Sequence, residues 1–179
     1  MISRVPSATS TACTDMSTPR ILALDISSHL GFARYANGVI DHGAVELANK
    51  PATKSRPLSH EGAPFLRFSK WLTERLTEDK PEIIVYERAG YFASAAAANM
   101  LVGLRGVMFE KAAIYDVPII AYSPSAIKKF STGNGASKKP EMLVAAQRMS
   151  NGEVFADDNA VDAYLMLCMH LVTTCKPNS

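Results

Sequence analysis

The sequence has little of what marks secreted, membrane-spanning or zinc-binding proteins. Its three cysteines, Cys13, Cys168 and Cys175, form no CxxC pair, and their odd number argues against a disulfide framework and favours a reducing, cytoplasmic location. No apolar run is long and charge-free enough to span a bilayer, so we expect no membrane partner. The net charge is only +2, so the overall balance does not indicate nucleic-acid binding and the distribution of charge matters more.

The length and composition suit one globular domain. The chain has 179 residues, of which 47% are hydrophobic and 20% charged, enough for a sizeable core. Residues 1–19 are rich in serine and threonine and have no hydrophobic periodicity. We therefore predict a disordered leader over 1–19 and a single folded domain over 20–175.

Strand and helix patterns alternate along this domain. Residues 21–26 are apolar on both faces, as in a central buried strand, and Asn37-Gly38 is a strong hairpin signal between two further strands. A helical pattern, a strand that ends at Glu87 and an alanine-rich helix over about 93–115 follow. Three meandering strands and then helix–strand units predict an α/β fold, a mixed sheet flanked by helices.

Acidic residues interrupt the apolar elements at places that the sheet is expected to bring together. Asp25 lies in the first strand, Glu87 closes a later strand, and Asp158 and Asp162 begin the last helix. Each acid alone has a structural explanation, such as helix capping or a strand end. Several unpaired carboxylates in one cleft would repel one another, and a hard divalent cation resolves that conflict. We therefore favour a metal site.

Four segments carry a resemblance to a known family. In chain order they are ILALDISSHLGFARY, IIVYERAGYF, LRGVMFEKAAIYDVPIIAYSPSAIKKFSTGNGASKKPEM and DDNAVDAYLMLCMH, and together they cover about residues 20–172. They resemble the RuvC family of Holliday-junction resolvases, within the RNase H-like superfamily, in phage or bacterial form. The resemblance implies an RNase H-like, RuvC-type fold with a mixed five-stranded sheet.

The resemblance also implies the catalytic residues. Asp25, Glu87 and Asp162 match the family's metal-binding acids. The remaining ligand, Asp or His in the family, falls on Asn159, with Asp158 one position before it. We favour Asp158 as the fourth ligand because a carboxylate binds Mg²⁺ better than an amide oxygen, while Asn159 stays possible in its place.

The implied chemistry is hydrolysis of a phosphodiester by two Mg²⁺ ions per active site, for which Mn²⁺ can substitute. Asp25 would bridge both ions, and no serine, cysteine or histidine nucleophile is required. We expect the histidines to be structural or surface residues: His29, His42, His60 and His170.

A lysine-rich stretch around two glycines, AIKKFSTGNGASKK, is a candidate DNA-binding segment. Most such loops are simply solvated, but glycine amides and lysines together suit a phosphate backbone. By the resemblance Lys128 and Lys139 contact DNA near the cut, and Lys129 and Lys138 are supplementary candidates.

An aromatic pair, Tyr91 and Phe92, follows Glu87. Either residue could be a core aromatic. In resolvases of this type an aromatic just beyond the glutamate stacks on bases opened at the junction centre, and we favour Tyr91 because its hydroxyl suits a wet surface.

The alanine-rich helix suggests self-association. Its alanines and Gly103 would allow a second copy to approach closely across a two-fold axis, and paired nicks in a symmetric junction need two active sites. We therefore predict a homodimeric, Mg²⁺-dependent crossover junction endodeoxyribonuclease acting in DNA recombination and repair on four-way or branched DNA, in the cytoplasm of a bacterial or phage-infected cell.

Three alternatives to this function differ in class. An actin-like ATPase needs a glycine-rich phosphate turn where this chain has Ser27-Ser28, and it needs a second large domain. A catalytically weakened junction-binding protein and an RNase H-like nuclease acting on other branched DNA or on RNA–DNA hybrids both stay open.

Overall fold

The computed structural model describes residues 19–48, 62–88 and 94–174. Within them the elements are β1 (Ile21–Asp25), β2 (His29–Ala36), β3 (Val39–Glu46), α1 (Ala63–Glu78), β4 (Ile83–Glu87), α2 (Ala95–Ile114), β5 (Ile119–Tyr122), α3 (Pro124–Thr132), α4 (Lys139–Met149) and α5 (Asp158–Thr174). The predicted leader, except for Pro19, and the aromatic pair Tyr91 and Phe92 lie outside the described residues.

The strands form one mixed sheet in the order β3-β2-β1-β4-β5. Strand β2 is antiparallel to both β1 and β3, whereas β4 is parallel to both β1 and β5. The predicted hairpin is present: Asn37 and Gly38 both have positive φ, 52° and 82°, as a two-residue type I′ turn requires. The prediction of a mixed five-stranded sheet flanked by helices is confirmed.

Helices cover both faces of this sheet. On one face α1 and α2 pack with Phe68, Leu72 and Met108 against the strands. On the other face α5 lies between the sheet and helices α3 and α4, in contact with β1, β2 and both helices. Its residues from Ala160 to His170 are buried except Asp162, which explains why the last helix is apolar nearly all round.

Gly103 lies at the contact between α2 and α1 of the same chain. A Cβ at this position would lie 2.5 Å from the ring of Phe65 in α1, so the glycine allows that ring to lie against α2. The close approach at Gly103 is thus with α1 of the same chain, and contact of α2 with a second copy stays a prediction. The exposed side of α2 carries other apolar residues, with Val102, Phe109 and Ile114 exposed by 60%, 47% and 63%.

Among residues 19–48, 62–88 and 94–174 no helix combines the length and apolar character needed to cross a membrane.

Candidate active site

The sheet itself brings the first two predicted acids together. Strands β1 and β4 are parallel neighbours, with Leu24 paired to Tyr86. Asp25 and Glu87 are the next residues and the last of their strands. Since the carboxyl ends of parallel strands meet at one edge of a sheet, the two carboxylates lie side by side at that edge.

Helix α5 reaches this edge because β2 has a glycine there. Gly31 pairs with Asp25 across β1 and β2, so both residues face the same side of the sheet. A Cβ on Gly31 would lie only 2.0 Å from the carbonyl oxygen of Asn159, at the start of α5. The amide Nδ2 of Asn159 donates a hydrogen bond of 2.7 Å to the carbonyl of His29. These contacts seat the first turn of α5 on β2, next to Asp25.

The third acid, Asp162, enters the cluster one turn further along α5. Burial raises the pKa of Asp25 well above its ordinary value, and the negative charges of Glu87, Asp162 and Asp157 raise it further. Asp25, Glu87 and Asp162 therefore form one electrostatically coupled group, as the sequence predicted for these three residues.

The pKa values of Glu87 and Asp162 are raised as well. Burial, and then the charge of Asp162, raises the pKa of Glu87 to about 7. Burial also raises the pKa of Asp162 to about 6. The positive charges of Lys139 and Lys128 lower this pKa, and the negative charges of Asp158 and Asp157 raise it. Near neutral pH these carboxyl groups hold protons more readily than exposed acids do, because burial disfavours their ionised form and the neighbouring acids disfavour it further.

Two of the predicted DNA-binding lysines face this cluster. The positive charge of Lys128, in α3, lowers the pKa of both Glu87 and Asp162. Lys139, at the start of α4, has the same effect on Asp162 and Asp25. Helix α3 and the start of α4 thus bring two cations to the rim of the acidic cluster.

The supplementary lysines, Lys129 and Lys138, are exposed. The backbone N–H of Lys138 donates to the carboxylate of Glu141 at the start of α4, which fixes the end of the glycine loop. Both side chains extend the basic surface beyond the cluster.

Three consecutive polar residues at the head of α5 have three different partners. Asp158 accepts a bond of 2.8 Å from Nζ of Lys139, and its side chain is half exposed. Asp157 caps the helix, since its Oδ1 accepts from the amide of Ala160 at 2.8 Å. The third, Asn159, is tied to β2 as described above.

Asp157 is the residue that sequence reasoning missed. The negative charge of Asp157 raises the pKa values of both Asp25 and Asp162. Of these two pKa values, the charge of Asp158 raises only that of Asp162. A sequence signal was available, because an Asp directly before an apolar helical run is a typical N-cap. The N-cap of α5 lies at the sheet edge that carries Asp25 and Glu87.

The donor set fits a hard divalent cation. No three Asp, Glu, His or Cys side chains in the described parts of the chain already surround one point as metal ligands do. The cluster nevertheless consists of partly buried carboxylates whose pKa values are raised first by burial and then by neighbouring negative charges. Oxygen ligands with excess negative charge are what Mg²⁺ and Mn²⁺ prefer.

The chain is similar to proteins of one kind. No family model matches it. It is 28% identical over 156 residues to the crossover junction endodeoxyribonuclease RuvC of Bdellovibrio bacteriovorus, covering 84% of this chain and 88% of the relative. It is 28% identical over 147 residues to RuvC of Prochlorococcus marinus, covering 80% and 92%.

The fold is similar to that of a solved RuvC. The structure of T. thermophilus RuvC in complex with Holliday junction substrate aligns with a TM-score of 0.69 at 19% identity, covering 88% of this chain and 95% of that one. The predicted resemblance to the RuvC family is thereby confirmed, and the fold is the RNase H-like, RuvC-type fold expected from the sequence.

Proposed function

We propose that this chain, a relative of RuvC over four-fifths of its length, is a metal-dependent endonuclease that resolves four-way DNA junctions by paired symmetric nicks. One observation carries the proposal more than any other. Asp25, Glu87 and Asp162 come from three separate elements to one sheet edge, and Lys128 and Lys139 face them. A coupled acidic cluster beside cations suits phosphodiester hydrolysis, because the acids hold metal and the lysines hold phosphate.

The acids would hold two Mg²⁺ ions, or Mn²⁺ in their place. Bound metal supplies positive charge that activates a water molecule and stabilises the leaving oxygen. Asp25 is the most deeply buried of the three acids, and the charges of both Glu87 and Asp162 raise its pKa, so it is the candidate for a ligand shared by the two ions. Glu87 would bind on the β4 side and Asp162 on the α5 side.

The fourth ligand is proposed to be Asp158. It is an acid next to the family position, and its half-exposed side chain can turn from Lys139 toward the cluster when DNA phosphate competes for that lysine. Asn159 is the alternative through its amide oxygen, because Nδ2 is already bonded to β2. The charge of Asp157 makes it a further candidate, although its Oδ1 is used as a helix cap.

The lysines give the site its attraction for DNA. Lys128 and Lys139 would neutralise phosphates on either side of the cut, with Lys129 and Lys138 extending the contact along the backbone. Lys139 would exchange its bond to Asp158 for one to phosphate, which couples DNA binding to the release of a ligand. Tyr91, or Phe92 in its place, is proposed to stack on an unpaired base at the junction centre.

A homodimer is proposed because paired nicks need two active sites. The exposed apolar side of α2, with Val102, Phe109 and Ile114, is the proposed contact surface. A reducing cytoplasm is the proposed location, since the substrate is cellular or phage DNA.

A substrate panel tests this function. Labelled four-way junction, linear duplex and RNA–DNA hybrid are each incubated with the protein, with and without Mg²⁺. Cleavage confined to the junction and dependent on Mg²⁺ is expected. Cleavage of the hybrid instead would favour an RNase H-like ribonuclease, and tight junction binding without cleavage would favour a catalytically weakened binding protein.

A further inference from the structure

A histidine outside the acidic cluster is bonded to the segment that leads into it. Nε2 of His42, in the edge strand β3, lies 2.7 Å from Oε2 of Glu153, in the loop between α4 and α5. The histidine side chain is only 10% exposed, whereas that of Glu153 is 55% exposed. This pair joins an edge of the sheet to a loop 111 positions later in the sequence.

Aromatic stacking reinforces the pair. The ring of Phe155 stacks on the imidazole of His42, with centroids 4.3 Å apart and planes inclined by 20°. Phe155 also meets the edge of Tyr164, in α5, at 5.1 Å, and His42 meets the same ring at 5.6 Å. Strand β3, the loop and α5 therefore share one aromatic cluster. Offset and edge-on aromatic pairs of this kind are favourable beyond their buried area.

The pair is a specific tie, because the imidazole has no second polar contact among the residues that the structure describes. Its Nδ1 is buried there without a hydrogen-bond partner. If the bond to Glu153 is lost, both ring nitrogens lose polar contact within the protein, which is unfavourable for a buried group. Packing alone would be served better by phenylalanine at this position, so the histidine is explained by its bond to Glu153.

The loop that carries Glu153 needs such a tie. Asn151 and Gly152 directly before it have positive φ, 60° and 93°, so the chain turns sharply out of α4. Asp157 follows Phe155 by two positions and begins the acidic head of α5. The position of the loop therefore contributes, together with the contacts of Asn159 on β2, to the placement of Asp157 and Asp158.

We propose that His42 and Glu153 are positioning residues for the nuclease reaction: their bond, with the Phe155 stack, helps to hold the head of α5, which carries Asp157 and Asp158, against the acidic cluster. The proposal rests on the proposed nuclease function, since it assigns to the pair an effect on the chemical step. It assigns them no contact with DNA or metal. Loss of the tie is expected to slow the chemistry while leaving junction binding unchanged, because the lysines that hold DNA lie on α3 and α4.

Four variants separate the effect of the His42–Glu153 hydrogen bond from the effect of ring stacking. His42→Ala removes both, His42→Phe keeps the stack without the bond, Glu153→Ala removes the acceptor, and Glu153→Gln restores an acceptor oxygen. Glu78→Ala is the matched control, because Glu78 is also a partly exposed ion-pair acid, bonded to Arg75 on the distant helix α1.

The measurements are the single-turnover cleavage rate at saturating Mg²⁺ and the junction Kd in Ca²⁺. A small displacement of catalytic groups is costly, so we expect His42→Ala and Glu153→Ala to cut about tenfold more slowly with Kd within about twofold of wild type. Glu153→Gln and Glu78→Ala should cut at nearly the wild-type rate. Equal losses in Glu153→Ala and Glu153→Gln, or a rate loss matched by a Kd loss, would overturn the proposal.

Hydrogen exchange separates failure of this inference from failure of the function. The amides of Ala160 and Val161 bond to Asp157, so they report the head of α5 without any cleavage. Faster exchange of these amides in Glu153→Ala than in Glu78→Ala is expected. Unchanged exchange would overturn the proposal even if the wild type cuts junctions. Faster exchange without any cleavage by the wild type would overturn the nuclease function, and with it the role of the pair in the reaction, while the structural effect of the bond on the head of α5 would stand. If His42→Ala does not fold, the Glu153 variants alone decide, because that side chain is half exposed.

Discussion

Gly31 in β2 lies directly beneath the backbone of Asn159 in α5, so closely that a Cβ on the glycine would come within 2.0 Å of the Asn159 carbonyl oxygen. Because Gly31 is also the cross-strand partner of Asp25, this contact sets how near α5 comes to Asp25. The distance between Asp25 and the acids of α5 is thus determined by the absence of a side chain.

The first prediction follows from this contact. Gly31→Ala forces β2 and α5 apart, so we expect a free energy of unfolding lower by about 1–3 kcal/mol and a loss of cleavage larger than the loss of stability explains. Chemical denaturation and junction cleavage measure the two effects. Gly62→Ala is the control, since a Cβ there meets nothing within 4 Å. Wild-type activity in Gly31→Ala would show that the close approach does not matter for the site.

The head of α5 gives the second prediction. If Asp158 is the fourth ligand, Asp158→Ala should raise the Mg²⁺ concentration for half-maximal cleavage far more than Asn159→Ala does. Asn159→Ala should instead lower thermal stability, because it removes the bond to the His29 carbonyl. A Mg²⁺ titration of both variants, with their melting temperatures, distinguishes the roles. The reverse ranking of Mg²⁺ requirements would assign the ligand to Asn159.

The raised pKa of Glu87 predicts a pH-dependent stability. This carboxyl group titrates at about 7 when folded and near 4.5 when unfolded, so between these values the folded state holds a proton that the unfolded state has lost. Its contribution to stability is complete below the lower value and falls as pH rises through the higher one.

Glu87→Gln removes that dependence. In metal-free buffer, the variant should gain stability relative to wild type as pH rises from about 5 to about 8, and Mg²⁺ should reduce the gain by restoring charge balance to the wild type. Melting temperatures of both proteins across this range provide the measurement. If the melting temperatures of wild type and Glu87→Gln change in parallel with pH, both with and without Mg²⁺, Glu87 does not belong to a cluster of mutually destabilising acids.

The exposed apolar side of α2 gives the fourth prediction. If it is the dimer contact, sedimentation at micromolar concentration should give about twice the chain mass of 19.3 kDa. Phe109→Glu, which places a charge on that side, should reduce the mass to that of one chain without unfolding the protein. A monomer mass for the wild type with and without junction DNA would contradict both the dimer and the paired-nick mechanism.

The sequence was sufficient for those features that depend on local patterns. The buried run before Asp25, the Asn37-Gly38 turn and the strand ending at Glu87 each predict an element and its order, and the structure has them. Asp25, Glu87 and Asp162 could be placed together because strand ends and helix starts meet at sheet edges.

Features that depend on contacts between distant segments were not predictable. A glycine in a helix or strand pattern does not reveal whether another segment approaches closely or which one: Gly31 meets Asn159 and Gly103 meets Phe65, whereas a Cβ on Gly106 would meet nothing within 4 Å. His42 gave no sign of its bond to Glu153, since nothing local links an edge strand to a loop 111 positions away. Asp157 was missed for a different reason. Its role as a helix cap is local, but the effect of its charge on the pKa of Asp25 depends on how α5 packs on the sheet.

Mapping of the cut sites on a labelled four-way junction tests whether the acidic cluster cuts junctions in pairs of nicks. Wild type and Asp25→Asn are compared with Mg²⁺ present, and binding is measured in parallel by gel shift. We expect symmetric nicks in two opposite strands by the wild type, and junction binding without any nick by Asp25→Asn, because an amide is a poorer metal ligand than a carboxylate while the proposed DNA-binding lysines are unchanged. Cleavage by Asp25→Asn at the wild-type rate, or no Mg²⁺-dependent nick by the wild type, would contradict this expectation.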